Sequence, residues 1–177
     1  MKSSSTKKLV LAAICTALGI VLPMLLHSIP QGGNIFLPMH LPVLLCGFLC
    51  GPWWGLACGI VCCTLSHLIS GMPPAAIFPG MLCELAVYGL VSGFMFNAFK
   101  NKKKLWVTYL CLIVAMLSGR IVGGILNALI FRAGDYSMAV WLTGSFVTGL
   151  PGIAIQLVLI PLLVSRLHKA GFIRTEG

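Results

Sequence analysis

Long apolar runs follow one another along almost the whole chain, separated by short breaks of polar residues, glycine and proline. A helix needs about 20 predominantly apolar residues to cross the hydrocarbon core of a bilayer. The runs predict six crossings, over residues 8–26, 37–50, 53–70, 75–99, 105–131 and 138–167. The second is short and contains Pro38 and Pro42, so it is the crossing most open to a break or a steep tilt.

Composition decides the class of protein. Of the 177 residues, 59% are hydrophobic and 8% are charged, and the mean hydropathy is +1.03. A soluble domain of this composition would expose far more apolar surface than the roughly 300–600 Å² patch of a typical monomer. The predicted fold class is therefore all-α: a single polytopic membrane domain over residues 1–177, built as a six-transmembrane-helix bundle.

Ten of the twelve basic residues lie in three short stretches. They are Lys2, Lys7 and Lys8, then Lys100, Lys102, Lys103 and Lys104, and finally Arg166, Lys169 and Arg174. Lys and Arg near helix ends accumulate on the cytoplasmic side, so both termini and the loop near residue 102 are predicted to be cytoplasmic. A model with four or five crossings would separate these stretches across the membrane. The net charge of +9 thus indicates contact with anionic lipid and not with nucleic acid, which needs basic residues on one water-exposed face.

Neither a metal site nor a cofactor site is predicted. The eight cysteines lie inside apolar runs, without His or carboxylate partners at ligand spacing, and are expected to be small buried side chains. The apolar segment 9–26 resembles the core of a signal peptide. It lacks a small-residue cleavage site followed by a polar domain, so we predict that it is the first helix.

Two charged residues fall at depth in the predicted bundle. At 1.5 Å per residue, Arg120 lies roughly 22 Å from the cytoplasmic start of its helix, and Glu84 roughly 14 Å from the outer start of its own. Intramembrane charges commonly pair with one another, so Arg120 and Glu84 are candidates for a structural ion pair between two helices. The alternative is that Arg120 presents its planar fork of donors to a ligand carboxylate or amide, with Glu84 orienting it.

Other polar residues are candidates for the same region. Asn127 lies two turns beyond Arg120 on the same helix face, with glycines at 123 and 124 between them. Asn34, His40 and His67 lie near the outer ends of their helices, where a histidine is more often a hydrogen-bonded structural residue than a ligand contact.

Catalytic machinery is not predicted. The other two acidic residues are Asp135, in an outer loop, and Glu176, in the cytoplasmic tail, so Glu84 has no carboxylate partner for acid and base catalysis. No glycine-rich phosphate-binding loop ending in Lys and Ser or Thr occurs, which excludes ATP hydrolysis by that motif. We expect a protein that is not an enzyme.

Ala13 and Ala17 lie one helical repeat apart on the first helix, and such a small-x3-small pair forms a flat strip on which another helix can pack. Together with six helices, cytoplasmic basic ends and a proline-rich loop after the third helix, this Ala-x3-Ala motif resembles the substrate-binding S component of an energy-coupling factor (ECF) vitamin transporter. The segments 41–52, 70–74 and 118–124 also resemble members of that family. The resemblance covers nearly the whole chain.

The resemblance implies a mechanism. An S component of a bacterial plasma membrane captures a vitamin or precursor in the outer half of its bundle, docks through the alanine strip onto a transmembrane coupling subunit driven by two cytoplasmic ATPases, and topples to release its substrate inside. On this basis Ala13 and Ala17 would face the coupling subunit. The positions expected to line the substrate site are Asn34, His40, Met72, Glu84, Arg120 and Asn127.

The substrate is open at this point. A single deep arginine favours a small ligand with one carboxylate, and pantothenate is the best match. Folate, riboflavin, cobalamin and a queuosine precursor are alternatives within the same transporter class. A different class is a structural or assembly membrane protein, in which Arg120 and Glu84 serve only as a clamp between helices.

Overall fold

The computed structural model describes residues 2–26, 28–99, 105–131 and 137–169. These ranges contain helices and connecting turns without any strand, and six helical spans are long and apolar enough to cross a membrane, which confirms the all-α polytopic class. The spans are Ser5–Leu25, Gly32–Cys50, Pro52–Ser70, Phe78–Ala98, Leu105–Phe131 and Leu150–Leu167. The basic stretch 100–104, Arg132, Asp135, Arg174 and Glu176 lie outside the described residues. The cytoplasmic position of the termini stays a prediction.

The helices are α1 (Lys2–Leu25), α2 (Gly32–Phe36), α3 (His40–Cys50), α4 (Pro52–Ser70), α5 (Phe78–Ala98), α6 (Leu105–Leu126), α7 (Met138–Leu142) and α8 (Leu150–Lys169). Two π-helical segments, Asn127–Phe131 and Thr143–Thr148, continue α6 and α7. Helix α5 begins at Phe78, three residues later than predicted. Pro79 lies in the first turn of α5, where a backbone N–H group has no acceptor within the helix and proline is therefore tolerated.

The second crossing starts at Gly32, earlier than predicted. It is broken between α2 and α3, at the first of the two prolines that indicated a break. Helix α2 ends where Leu37 adopts a left-handed conformation with φ of 48°. Pro38 follows and cannot donate a backbone hydrogen bond, so the helix restarts only at His40. The backbone N–H of Leu37 still bonds to Gly33 O at 3.1 Å, and Leu37 O accepts from the His40 N–H at 3.1 Å.

The sixth crossing departs from the prediction of one continuous helix over 138–167. Helix α7 passes into the π-helical segment Thr143–Thr148, the chain leaves helical geometry at Gly149, and α8 begins at Leu150. Pro151 lies in the first turn of α8 and lacks the N–H group that would continue a preceding helix, so the interruption falls before it.

Helix α5 lies at the centre of the bundle. It packs against α3, α4 and α6, while α1 packs on α3 and α4, and α8 packs on α2, α3 and α6. The core between these helices contains seven of the eight cysteines, with Cys83 half-buried, and all eight are free thiols. The expectation that the cysteines serve as small packing residues therefore agrees with their burial.

Glycines bring α4 and α5 into close contact. A Cβ atom on Gly59 would lie 2.6 Å from Leu85 O, and one on Gly89 would lie 3.0 Å from the Cα of Gly55 and closer still to its carbonyl group. Gly55 and Gly59 are spaced four residues apart on α4, and Gly89 and Gly93 on α5, so each helix presents a small-x3-small face to the other. The axes of the two helices can approach only because these side chains are absent.

Gly89→Ala is expected to lower the stability of the protein, because the added methyl group meets backbone atoms of Gly55 that cannot rotate away. Overpacking of this kind costs about 1–3 kcal/mol. The matched control is Gly33→Ala in α2, where a Cβ meets nothing within 4 Å. Thermal unfolding in detergent tests the difference; equal unfolding temperatures for the two variants would contradict the close contact.

The predicted orientation can be tested at two exposed positions in the described part of the chain. Gly33 lies at one end of the second crossing, and Trp53, 74% exposed, lies beyond its other end. In whole cells, Gly33→Cys should react with a membrane-impermeant thiol reagent, and Trp53→Cys only after permeabilisation. The unsubstituted protein gives the baseline, since seven of its cysteines are buried. Labelling of Trp53→Cys from outside would reverse the assigned topology.

Candidate functional site

His40, Glu84 and Tyr88 form a compact group between α3 and α5. His40 is the first residue of α3 and is 2% exposed, and its Nε2 lies 3.6 Å from Glu84 Oε1. The Tyr88 hydroxyl, one turn along α5, donates to the same carboxylate oxygen at 2.9 Å. The rings of His40 and Tyr88 meet edge to face, with centroids 5.1 Å apart. The Glu84 carboxylate is thus held by a neighbouring helix and by its own.

Arg120 does not form the predicted ion pair with Glu84. Among the described residues, the group within ion-pairing distance of Glu84 is His40, and Arg120 has no such partner. Tyr88 and His40 both contact Oε1, and the other oxygen, Oε2, lies against α6 at Gly123, where an added Cβ would be 3.4 Å from it. Arg120 is 3% exposed, and its Nη2 has no hydrogen-bond partner in the part of the chain that the structure describes.

The segment that leads into α8 packs on Arg120. The guanidinium carbon lies 5.4 Å from the centre of the Phe146 ring, a distance at which the ring face attracts a cation. The indole N–H of Trp141 donates to Arg120 O at 3.2 Å, and the rings of Trp141 and Phe146 are 5.5 Å apart. Aromatic side chains therefore cover the arginine from the side of α7 and Thr143–Thr148.

Gln156 on α8 extends this polar group. It is 1% exposed, its Nε2 donates to Leu37 O at 3.5 Å, and its Oε1 has no hydrogen-bond partner among the described residues. Gly149 connects it to Arg120, because a Cβ there would be 3.1 Å from Leu37 Cδ1 and 3.5 Å from Arg120 Nη2. We refer to His40, Glu84, Tyr88, Arg120 and Gln156, of which Glu84 is only half-buried, as the buried polar cluster.

The remaining predicted site residues lie around this cluster or away from it. Asn127 packs against Gly80 and donates to Gly123 O at 2.8 Å, so part of its amide is used within its own helix. Asn34 is exposed on α2, and Met72 is half-buried in the turn after α4. Within the described ranges, neither makes a side-chain hydrogen bond to the cluster. His67 supports the turn at 71–77, with Nδ1 2.7 Å from Pro73 O and its ring stacked on Phe78.

Sequence reasoning missed Tyr88, Gln156, Trp141 and Phe146. Tyr88 had a signal, since it lies four residues after Glu84 on the same helix face. Gln156 had a stronger signal. A polar amide in the middle of an apolar crossing costs as much free energy to bury as the polar residues that were chosen as candidates. The two aromatic residues had none, because their approach to Arg120 depends on the interruption before α8.

A second surface lies on α1. Ala13 and Ala17 are exposed, and large apolar side chains flank them on the same outward face, among them Val10, Ile14, Leu18 and Val21. Ala12, Cys15 and Gly19 are buried on the opposite face, towards α3 and α4. The alanine pair is therefore not used for packing within the described bundle.

The family model for the substrate-specific component of ECF transporters matches residues 7–164. The chain belongs to this family. The match includes α1 with its exposed alanine pair and every helix that contributes to the buried polar cluster. No curated protein and no solved structure matches the chain.

Membership as an S component fixes the general role. The protein is a multi-pass membrane protein and the substrate-binding subunit of an ECF-type importer; it is not an enzyme. Its partners are a small-molecule substrate, the ECF membrane subunit and the ATPase subunits. This result decides against the alternative of a structural or assembly protein without a transport role.

Proposed function

We propose that this S component binds a small vitamin with a single carboxylate, with pantothenate as the best candidate, and that Arg120 binds the carboxylate. The observation that supports this is the buried Arg120 guanidinium, which within the described ranges has no partner at Nη2 and no ion pair. A buried charge without a partner is strongly unfavourable, and a ligand anion would offset that cost on binding.

The geometry favours one carboxylate and a small ligand. A guanidinium forms two parallel hydrogen bonds with a carboxylate, which gives direction as well as charge. Glu84 supplies a negative charge within the cluster, where its Oε1 contacts His40 and Tyr88 and it makes no ion pair with Arg120. A ligand with several carboxylates would place further negative charge near Glu84, so folate fits less well than pantothenate.

The other residues proposed for the site have supporting roles. His40 and Glu84 orient each other at its edge, and Asn127 lies one turn above the Glu84 contact with Gly123. Asn34 and Met72 line the approach from the outer side in this proposal. The other candidate substrates carry no free carboxylate, so they would not form the contact proposed for the Arg120 guanidinium. They are riboflavin, cobalamin and a queuosine precursor.

Delivery of the substrate is proposed to depend on the exposed strip of α1. Ala13 and Ala17 present almost no side-chain bulk, so a helix of the ECF membrane subunit can approach the backbone of α1 closely. Burial of Ala12 and Cys15 on the opposite face keeps the strip facing outward.

Arg120→Lys is expected to weaken pantothenate binding at least tenfold, because an ammonium group keeps the charge but loses the planar pair of donors. Arg120→Ala should lose more, on the order of 2–5 kcal/mol. Equilibrium binding to the purified protein in detergent measures both. The control is Arg166→Lys, at an exposed position near the end of α8.

A clamp between helices would give a different pattern. If Arg120 served only to neutralise Glu84, the double variant Arg120→Ala with Glu84→Ala would recover both thermal stability and ligand affinity. Recovery of near-native affinity in that double variant would refute the carboxylate proposal.

Ala13→Trp and Ala17→Trp are expected to abolish ATP-driven uptake while leaving ligand affinity and thermal stability near those of the unsubstituted protein, because the bulky ring prevents close helix approach. Ile113→Trp on α6, where the native side chain is 45% exposed, is the control and should retain uptake. Loss of binding together with uptake in the alanine variants would mean that the strip packs inside the bundle.

A further inference from the structure

Gln156 is a buried amide whose two ends have different surroundings. Its Nε2 donates to Leu37 O, which is a carbonyl and therefore accepts only. A rotated amide would place two acceptor oxygens against each other, so the orientation with Oε1 directed away from Leu37 is the one that satisfies the chemistry. The atom that remains without a protein partner is then an acceptor, at a position that is 1% exposed.

The buried polar cluster thus offers acceptors as well as a donor. Among the described residues, Arg120 Nη2 is a donor without a partner and Gln156 Oε1 an acceptor without one. His40 Nδ1 also lacks a partner there, and it is an acceptor when the proton is on Nε2, the nitrogen that faces the Glu84 carboxylate. A carboxylate has only acceptor atoms, so it can satisfy Arg120 but not Gln156.

Leu37 brings the donor and the acceptor into one region. Its carbonyl oxygen accepts from Gln156, and its side chain meets Gly149, whose backbone lies beside Arg120 Nη2. A methionine or leucine at position 156 would fill the same space without burying an amide, and leaving one end of an amide unsatisfied costs about 1–3 kcal/mol. Packing alone does not explain a glutamine at this position.

We infer that Gln156 is a specificity-determining residue: its Oε1 accepts a hydrogen bond from an O–H or N–H group of the ligand, so the substrate is a carboxylate that also carries a donor. This inference rests on the proposed binding of a carboxylate by Arg120. Pantothenate meets the requirement through its hydroxyl groups and its amide. Lipoate is a carboxylate without an O–H or N–H donor and does not meet it.

The first experiment compares pantothenate, folate and biotin, which carry donors, with lipoate, in equilibrium binding to the full chain in detergent. At least one donor-bearing carboxylate is expected to bind about tenfold or more tightly than lipoate. Equal or tighter binding of lipoate would overturn the role of Gln156 and leave the carboxylate proposal intact. If none of the four binds, the carboxylate proposal falls and the role of Gln156 falls with it.

The second experiment uses the tightest donor-bearing ligand and analogues in which each donor is removed, by replacing a hydroxyl with hydrogen or by methylating an N–H. Gln156→Met should bind the parent ligand about tenfold more weakly. It should bind the parent ligand and one analogue, the one that lacks the donor recognised by Gln156, with equal affinity. The control is Ser66→Ala on α4, which removes a different buried polar group, a hydroxyl without a partner among the described residues, and should leave binding unchanged.

Two outcomes would show that Gln156 only supports Leu37. One is unchanged affinity of Gln156→Met for the parent ligand, and the other is an equal loss of affinity for the parent ligand and for every analogue. Arg120→Lys, measured in the same assay, tests the carboxylate proposal independently of Gln156. If Arg120→Lys loses affinity while Gln156→Met gives either of these two outcomes, only the inference about Gln156 is refuted.

Discussion

The carbonyl group of Leu37 is the constraint on which the polar interior depends. A helix that breaks inside the membrane exposes backbone groups, and these must be satisfied within the protein because the hydrocarbon offers no partner. Leu37 O accepts from the His40 N–H and from Gln156, so the break ties the start of α3 to α8. Gly152 allows this approach, since a Cβ there would lie 2.7 Å from the carbonyl oxygen of Phe36. The same break places His40 at depth, facing Glu84.

The arrangement of charge follows from this geometry. His40 and Tyr88 contact Glu84 on the side of α3. Arg120 lies against aromatic rings and the backbone of a glycine, which reduce the cost of burying its charge without neutralising it. A protein under selection for stability alone would gain from pairing these two charges or from replacing them with apolar residues. In the proposed function, a donor without a partner among the described residues is useful because the ligand supplies the missing partner.

Much of the fold could be predicted from the sequence, and part of the site could not. Run length gave six crossings, and prolines marked the second as breakable. Position within the crossings singled out His40, Glu84 and Arg120, which the structure brings into one region. The Arg120 and Glu84 ion pair was one of two alternatives, and the described residues do not form it, because depth in two adjacent helices does not say which way a side chain turns. The split of the sixth crossing had a local signal in Pro151, which the prediction of one helix over 138–167 did not use.

Helix α3 contacts both of the surfaces that the proposed function uses. It packs on α1, the helix with the outward alanine strip, and its first residue is His40. Its 11 residues form a helix about 16 Å long. In the proposed function, the substrate site and the contact with the ECF membrane subunit therefore share this one short helix.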